Sequence, residues 1–268
     1  MKEEKGFKEQ LLDMYENGEL TVLSRRDSFN FDCVRCGQCC RDRDDILLNP
    51  LDFHRLCRGL RMQPTEVLIK YCDLYPGYSS RLPILRIQFR PTYGLGGEIT
   101  GMRCPFLGQK DGLYHCRIQA YKPFVCFSYP LGRIQKAEDE AQYILQPDPG
   151  CKGARKAQAE GTMQNVEVWM FGKEHLDMED RFNKLYAGFL MRYHDWINVD
   201  KLAGIKKDSG ALYKKWLAKM SRYLYGEYDH SLGDEAFLIQ LQDNIKEMEA
   251  YCRDLAEKHP NLKPKPRK

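Results

Sequence analysis

The chain has 268 residues, long enough to bury a substantial core, and its 42 basic and 38 acidic residues leave a formal net charge of +4. So even a balance argues against a dedicated nucleic-acid surface, and no run of about 18 apolar residues offers a membrane span. Residues Met1 to Gln10 are charged throughout and lack the apolar run of a secretion signal, so the expected setting is the reducing cytoplasm. There, 11 cysteines point to metal ligation or redox chemistry rather than a disulfide framework.

Taken in order, Phe7, Leu11, Leu12 and Tyr15 make a helical stripe that Gly18 can terminate, a short docking helix. The run Cys33-Val34-Arg35-Cys36-Gly37-Gln38-Cys39-Cys40 comes next. Four thiols this dense are not a packing feature; they read as a metal-binding nucleus, with Gly37 permitting the tight turn that convergent thiolates need. The charged connector Arg41 to Asp45 leads to a brief strand, Ile46-Leu47-Leu48, stopped by Asn49-Pro50. Asn49 is the expected N-cap and Pro50 the first residue of a helix that buries Leu51, His54, Leu56 and Leu60 and that Gly59 helps to end. Pro64, Thr65 and Glu66 open a second helix carrying Val67, Leu68 and Tyr71. Cys57 and Cys72 lie among these apolar neighbours and read as small buried hydrophobes, outside the metal site.

Residues 76–101 read as turns and strands, with Ile84, Ile87 and Phe89 in a β-prone run and Gly94, Gly96, Gly97 and Gly101 punctuating the residues beyond it. The thiols then return, each beside a Pro, a Gly or an aromatic: Cys104-Pro105, His115-Cys116, Cys126 after Pro123-Phe124, and Gly150-Cys151. Between the last two, Gly132 to Lys136 and Gln142 to Gln146 are expected to pair as a hairpin across Ala137 to Ala141. Beyond about Gly153 long helical periodicities take over. Phe182, Leu185, Tyr186, Phe189, Leu190 and Tyr193 share one helix face, Leu212, Trp216, Leu217, Met220, Tyr223 and Leu224 another, and Leu238, Leu241, Ile245, Met248, Cys252 and Leu255 a third. The tail carrying Lys263, Lys265, Arg267 and Lys268 is Pro-rich and polar, as a solvated end is.

Cysteines in the run or in loop contexts are Cys33, Cys36, Cys39, Cys40, Cys104, Cys116, Cys126 and Cys151, twice the four ligands of a structural zinc or a cubane iron-sulfur cluster. On extended backbone Cys39 and Cys40 would point to opposite sides. They are therefore expected to serve different sites, or one of them to act as a hydrogen-bond donor behind the ligands. Cys33, Cys36 and Cys39 reproduce the C-x2-C-x2-C run of bacterial [4Fe-4S] ligation and Cys104-Pro105 supplies a remote Cys-Pro. Zinc stays open, although paired C-x2-C knuckles are its commoner arrangement.

The run Cys33 to Cys40, the block Ile46 to Asp52, Cys104 to Leu107, Cys116, Pro123 to Cys126 with Tyr129-Pro130, and Cys151 together resemble the YkgJ-type cysteine cluster proteins, over about residues 30–155. The resemblance implies zinc or iron chelation and no particular reaction. Lys122 departs from the family pattern, which looks to favour Arg there; the charge is kept and bidentate pairing lost. A related cluster accompanies flagellin lysine N-methylases, but the glycines between 94 and 101 lack the strand-to-helix setting of a nucleotide cradle. His115 is the only histidine near the ligands; His54, His175, His194, His230 and His259 sit in helical or tail contexts. The acidic residues Asp42, Asp44 and Asp45 read as a solvated connector.

The expected architecture is α+β: an N-terminal helix and linker (1–29), a metal-stabilised cysteine-cluster domain of short strands and helices (30–155), a helical subdomain (156–260) and a basic Pro-rich tail (261–268). The leading functional reading is a metal-binding protein whose eight thiols hold an iron-sulfur cluster or zinc, with a protein partner as a further use of the C-terminal helices. The alternatives are a redox or group-transfer enzyme using the cluster and a structural zinc interaction module.

Overall fold

The computed structural model describes residues 13–78, 80–134, 141–146, 150–204 and 209–264, and the fold is α+β. Phe7, Leu11 and Leu12 of the first stripe, residues 135–140 of the expected hairpin, and Lys265, Arg267 and Lys268 of the tail lie outside the described residues. The chain divides into two compact units, Met1–Cys36 with Phe127–Asp180, and Gly37–Cys126 with Arg181–Lys268. Stretches 30–155 and 156–260 each contribute to both.

In the unit containing Gly37–Cys126, Leu47–Leu48 and Cys72–Pro76 flank Pro83–Ile87 in a three-stranded antiparallel sheet. Asn49 ends the first strand and starts the helix Pro50–Leu60. Its side chain accepts the Asp52 N–H at 2.8 Å, and the Asp52 carboxylate accepts the Asn49 N–H at 3.2 Å. This is a capping box, with Pro50 at a position that needs no donor. Leu51, Phe53 and Leu56 are fully buried on that helix. Gly59 does not end it. A Cβ there would collide with the Tyr121 ring, so the glycine lets Tyr121 pack on the helix, which closes instead on left-handed Arg61. Gln63 and Glu66 cap the second helix, Pro64–Tyr71, and Cys72 begins the next strand. Cys57 and Cys72 are both buried, and burial pushes both thiols up to about 12.

The C-terminal helices are part of this unit's core. From Arg181 onward the helix Lys173–Arg192 buries Phe182 and Phe189; Ser209–Ser221 buries Trp216 and Met220; and Asp234–Lys258 buries Phe237, Leu241, Ile245, Met248 and Cys252. The Trp216 indole N–H donates to Cys252 Sγ at 3.3 Å, giving both buried groups a partner. The link to the helix Pro50–Leu60 is polar. Arg55 and Arg58 each reach Asp234 at 2.8 Å, and Asp234 sits in a helix first turn, where the dipole favours negative charge. Fully buried His54 places Nδ1 3.2 Å from Nδ1 of His230 and Nε2 3.1 Å from the Leu232 carbonyl. The expected tail begins as an anchored turn, Pro260–Leu262, with Leu262 fully buried and its carbonyl accepting the Asn198 N–H.

In the other unit the expected hairpin is present: Leu131–Ile134 pairs with Gln142–Leu145, and Val22–Leu23 extends the sheet. Ser28–Asn30 pairs with Met163–Asn165. Phe31 meets Tyr129 and Trp169 edge to face, and Phe29 meets Trp169 likewise. Arg25 bridges Asp177 and Asp180, while Arg133 also pairs with Asp180.

Burial pulls the His54 pKa down to about 4, helped by the charges of His230 and Arg58, and burial lowers His230 as well. A depressed folded-state pKa means that the unfolded chain binds more protons below the ordinary histidine range. The stability from keeping His54 neutral is therefore present above about pH 6.5 and lost as pH falls toward 4. Urea unfolding should show a decline over that window of at most about 3 kcal/mol from His54, and His54→Gln should flatten it.

Candidate metal centre

Gly37, with φ 71°, opens a 3₁₀ turn over Gln38–Cys40. A Cβ on it would lie 2.8 Å from the Tyr114 ring, so the glycine also lets the strand Leu113–Cys116 approach the thiols. The turn fixes the relation of Cys39 and Cys40. Their sulfurs lie side by side, 3.9 Å apart, which corrects the expectation of divergence: that expectation assumed extended backbone, and this backbone is curled.

The remaining thiols of this unit are brought in by backbone bonds. The Cys104 N–H donates to the Cys40 carbonyl at 2.9 Å, and the Cys104 carbonyl accepts the Leu107 N–H at 3.1 Å. Leu107 then sits opposite Cys116 in the hairpin of Leu107–Lys110 with Leu113–Cys116. Cys126 lies in the short helix Phe124–Ser128, behind Pro123. That helix is placed by Asp52, whose Oδ1 accepts the Phe124 N–H at 2.8 Å while the same carboxylate completes the capping box. Asp52 is only 4% exposed, so an unbonded carboxylate there would be costly. The sequence reading missed this residue's second role. The only available signal was an acid in the first turn of an Asn-Pro helix, which is fully explained by capping.

The five thiols share one electrostatic environment. Hydrogen bonding with Cys40 holds Cys39 well below the usual thiol range, and the charges of Lys122 and Arg43 reinforce it. Cys40 moves the opposite way, first because it is the other half of that hydrogen bond, then through burial and the repulsion of Cys39, Cys104 and Cys126. Burial pushes Cys104 up to about 11 and raises Cys116 and Cys126, and each is raised further by a neighbouring thiolate. Charging several of these sulfurs together thus requires additional positive charge, which a bound metal supplies.

The other unit holds Cys33, Cys36 and Cys151. Cys151 is the N-cap residue of the helix Lys152–Glu160. A Cβ at Gly153 would lie 2.5 Å from the Asp32 carbonyl oxygen and 3.3 Å from Cys33 Cα, so only glycine lets that helix begin against the Cys33 backbone. An ion pair between Lys156 and Asp32 fastens the contact.

The donor set suits a soft metal or an iron-sulfur cluster. Among the described residues, however, no three His, Cys, Asp or Glu side chains stand in a closed single-ion geometry. His115 lies against Gly108 across its hairpin. The acidic connector is engaged: Asp42 accepts the Met102 N–H at 2.7 Å, Asp45 pairs with Arg43 and Asp44 with Arg86.

A family model described as "Putative zinc- or iron-chelating domain", CxxCxxCC, matches residues 32–152. No curated protein and no solved structure matches the chain.

Replacing Asp52 by Asn would aim an amide donor at one of two N–H groups. Asp52→Asn should therefore cost about 1–3 kcal/mol in urea unfolding and lower the metal-to-protein ratio. Asp44→Asn, at a side chain 88% exposed, should change neither.

Proposed function

We propose, from the family model described as "Putative zinc- or iron-chelating domain" that matches residues 32–152, that this chain is a thiolate metal-binding protein holding an iron-sulfur cluster. Its ligands come from Cys33, Cys36, Cys39, Cys40, Cys104, Cys116, Cys126 and Cys151, and its setting is the reducing cytoplasm, where such thiols stay available. The observation that carries the reading is the gathering of Cys39, Cys40, Cys104, Cys116 and Cys126 in one unit, with the sulfurs of Cys39 and Cys40 3.9 Å apart and the Cys104 N–H bonded to the Cys40 carbonyl. Five neighbouring thiols, raised by burial and by one another apart from Cys39, are what a cationic centre would neutralise.

Two features favour a cluster. The C-x2-C-x2-C spacing of Cys33, Cys36 and Cys39 is that of cluster-binding sequences, and the thiols outnumber the ligands of one zinc ion. A cluster supplies electron transfer or structural support, while the chain supplies thiolates, the cations Lys122 and Arg43, and the carboxylate of Asp52 that sets the Cys126 turn. Cys40, beside Cys39, is either a ligand or a hydrogen-bond donor to one.

Zinc is the second reading, and one distance favours it. The 3.9 Å between the sulfurs of Cys39 and Cys40 is close to the edge of a tetrahedral zinc-thiolate site, roughly 3.8 Å for metal-sulfur bonds near 2.3 Å. With either metal, ligation stabilises the fold strongly, by roughly 10–16 kcal/mol in small structural zinc domains.

Anaerobic purification followed by iron, sulfide and zinc analysis and a visible spectrum tests the proposal. A brown protein with iron and sulfide in equal amounts is expected; a colourless protein containing zinc alone selects the second reading, and a metal-free folded protein overturns both. Cys39→Ser and Cys104→Ser should each lose most of the metal. Cys57→Ser should retain it.

A further inference from the structure

A cavity of about 440 Å³ opens on the unit that carries Cys104 and Cys116, and its walls include Lys70, Arg90, Arg103 and Arg117 but no Asp or Glu. Elsewhere in the chain Arg25, Arg43, Arg55, Arg86, Arg133 and Arg181 pair with carboxylates. Among the described residues none of the four cations at the cavity does. Their contacts are with uncharged groups. Arg90 donates to the Lys70 carbonyl at 2.9 Å, Arg117 donates to the Pro105 carbonyl, and the Lys70 ammonium sits 5.3 Å from the centre of the Tyr71 ring. Four cations lining one cavity with no carboxylate among its walls give it a positive field that favours an anion.

The rest of the lining narrows the class. Tyr71 contributes aromatic surface, backed by the buried ring of Phe106 4.7 Å away, and the volume is that of a small-molecule site rather than of a groove for a long polymer. Guanidinium groups bind phosphate oxygens bidentately and hold them better than a single ammonium does. Past Lys70 and Arg90 the surface continues into a second hollow of about 770 Å³ where Glu66 is the one carboxylate, leaving room for a larger ligand to extend.

We propose that this cavity binds a phosphorylated small molecule with a planar apolar group, of the nucleoside diphosphate class. Its phosphates lie among Lys70, Arg90, Arg103 and Arg117, and its planar group lies toward Tyr71. The site backs directly onto the thiol-bearing segments. Cys104 falls between Arg103 and Pro105, Cys116 immediately precedes Arg117, and the Arg117 N–H donates to the Phe106 carbonyl at 2.9 Å. Anion binding does not depend on which metal the thiols hold.

Calorimetric titration of the full-length, metal-loaded protein with ADP, pyrophosphate and adenosine tests this. ADP should bind more tightly than pyrophosphate, and adenosine least. The variant Lys70→Gln/Arg90→Gln, altered at two exposed side chains, should bind ADP roughly tenfold or more weakly. Its urea midpoint and metal content should be unchanged, and Lys70→Gln alone should give an intermediate loss. The proposal is overturned if ADP gives no binding, if both variants bind it undiminished, or if pyrophosphate binds as tightly as ADP. It is equally overturned if a single-stranded RNA oligonucleotide binds through these residues while ADP does not.

Discussion

The carboxylate of Asp52 does two jobs with one buried group. One side closes the capping box with Asn49, which starts the helix Pro50–Leu60; the other accepts the Phe124 N–H and so sets the turn that presents Cys126. The same helix carries Arg55 and His54 to Asp234 and His230. Chain segments far apart in sequence therefore meet on one helix. A buried carboxylate with several N–H partners is itself favourable, whereas leaving any of those donors unpaired is not.

That scaffold carries a group of sulfurs that resist charging together. Cys39 is helped by Cys40, Lys122 and Arg43, while Cys40, Cys104, Cys116 and Cys126 are held up by hydrogen bonding, burial or one another. The fold thus concentrates soft donors whose ionisation a metal would promote. Lys122 is informative here. As a compact ammonium it acts through charge on Cys39 and Cys116, a role that does not require the fork geometry of arginine.

Local features were legible in the sequence where a short-range rule governed them. The Asn49-Pro50 cap, the Leu131–Ile134 hairpin and the buried stripes of the last helices follow from spacing and residue type alone. Contacts across the chain were not. Asp52 looked like a helix cap because that role was sufficient, and its bond to Phe124 joins residues that no periodicity relates. Gly59 looked like a terminator because glycine often is one, whereas its reason is the Tyr121 ring. The expected divergence of Cys39 and Cys40 assumed extended backbone, whereas Gln38–Cys40 is a 3₁₀ turn that brings their sulfurs together, as the alternative of one donating a hydrogen bond requires. The eight candidate ligands were chosen by loop context. Five of them lie together in one unit, and in the other Gly153 lets the helix that follows Cys151 start against the backbone of Asp32 and Cys33.

The central claim is that sulfur from this chain, rather than imidazole or carboxylate, surrounds the bound metal. X-ray absorption at the edge of whichever metal copurifies measures that directly. The account predicts a neighbour shell made up of sulfur near 2.3 Å, with a further iron-iron shell if the centre is a cluster. A shell dominated by nitrogen or oxygen would contradict it.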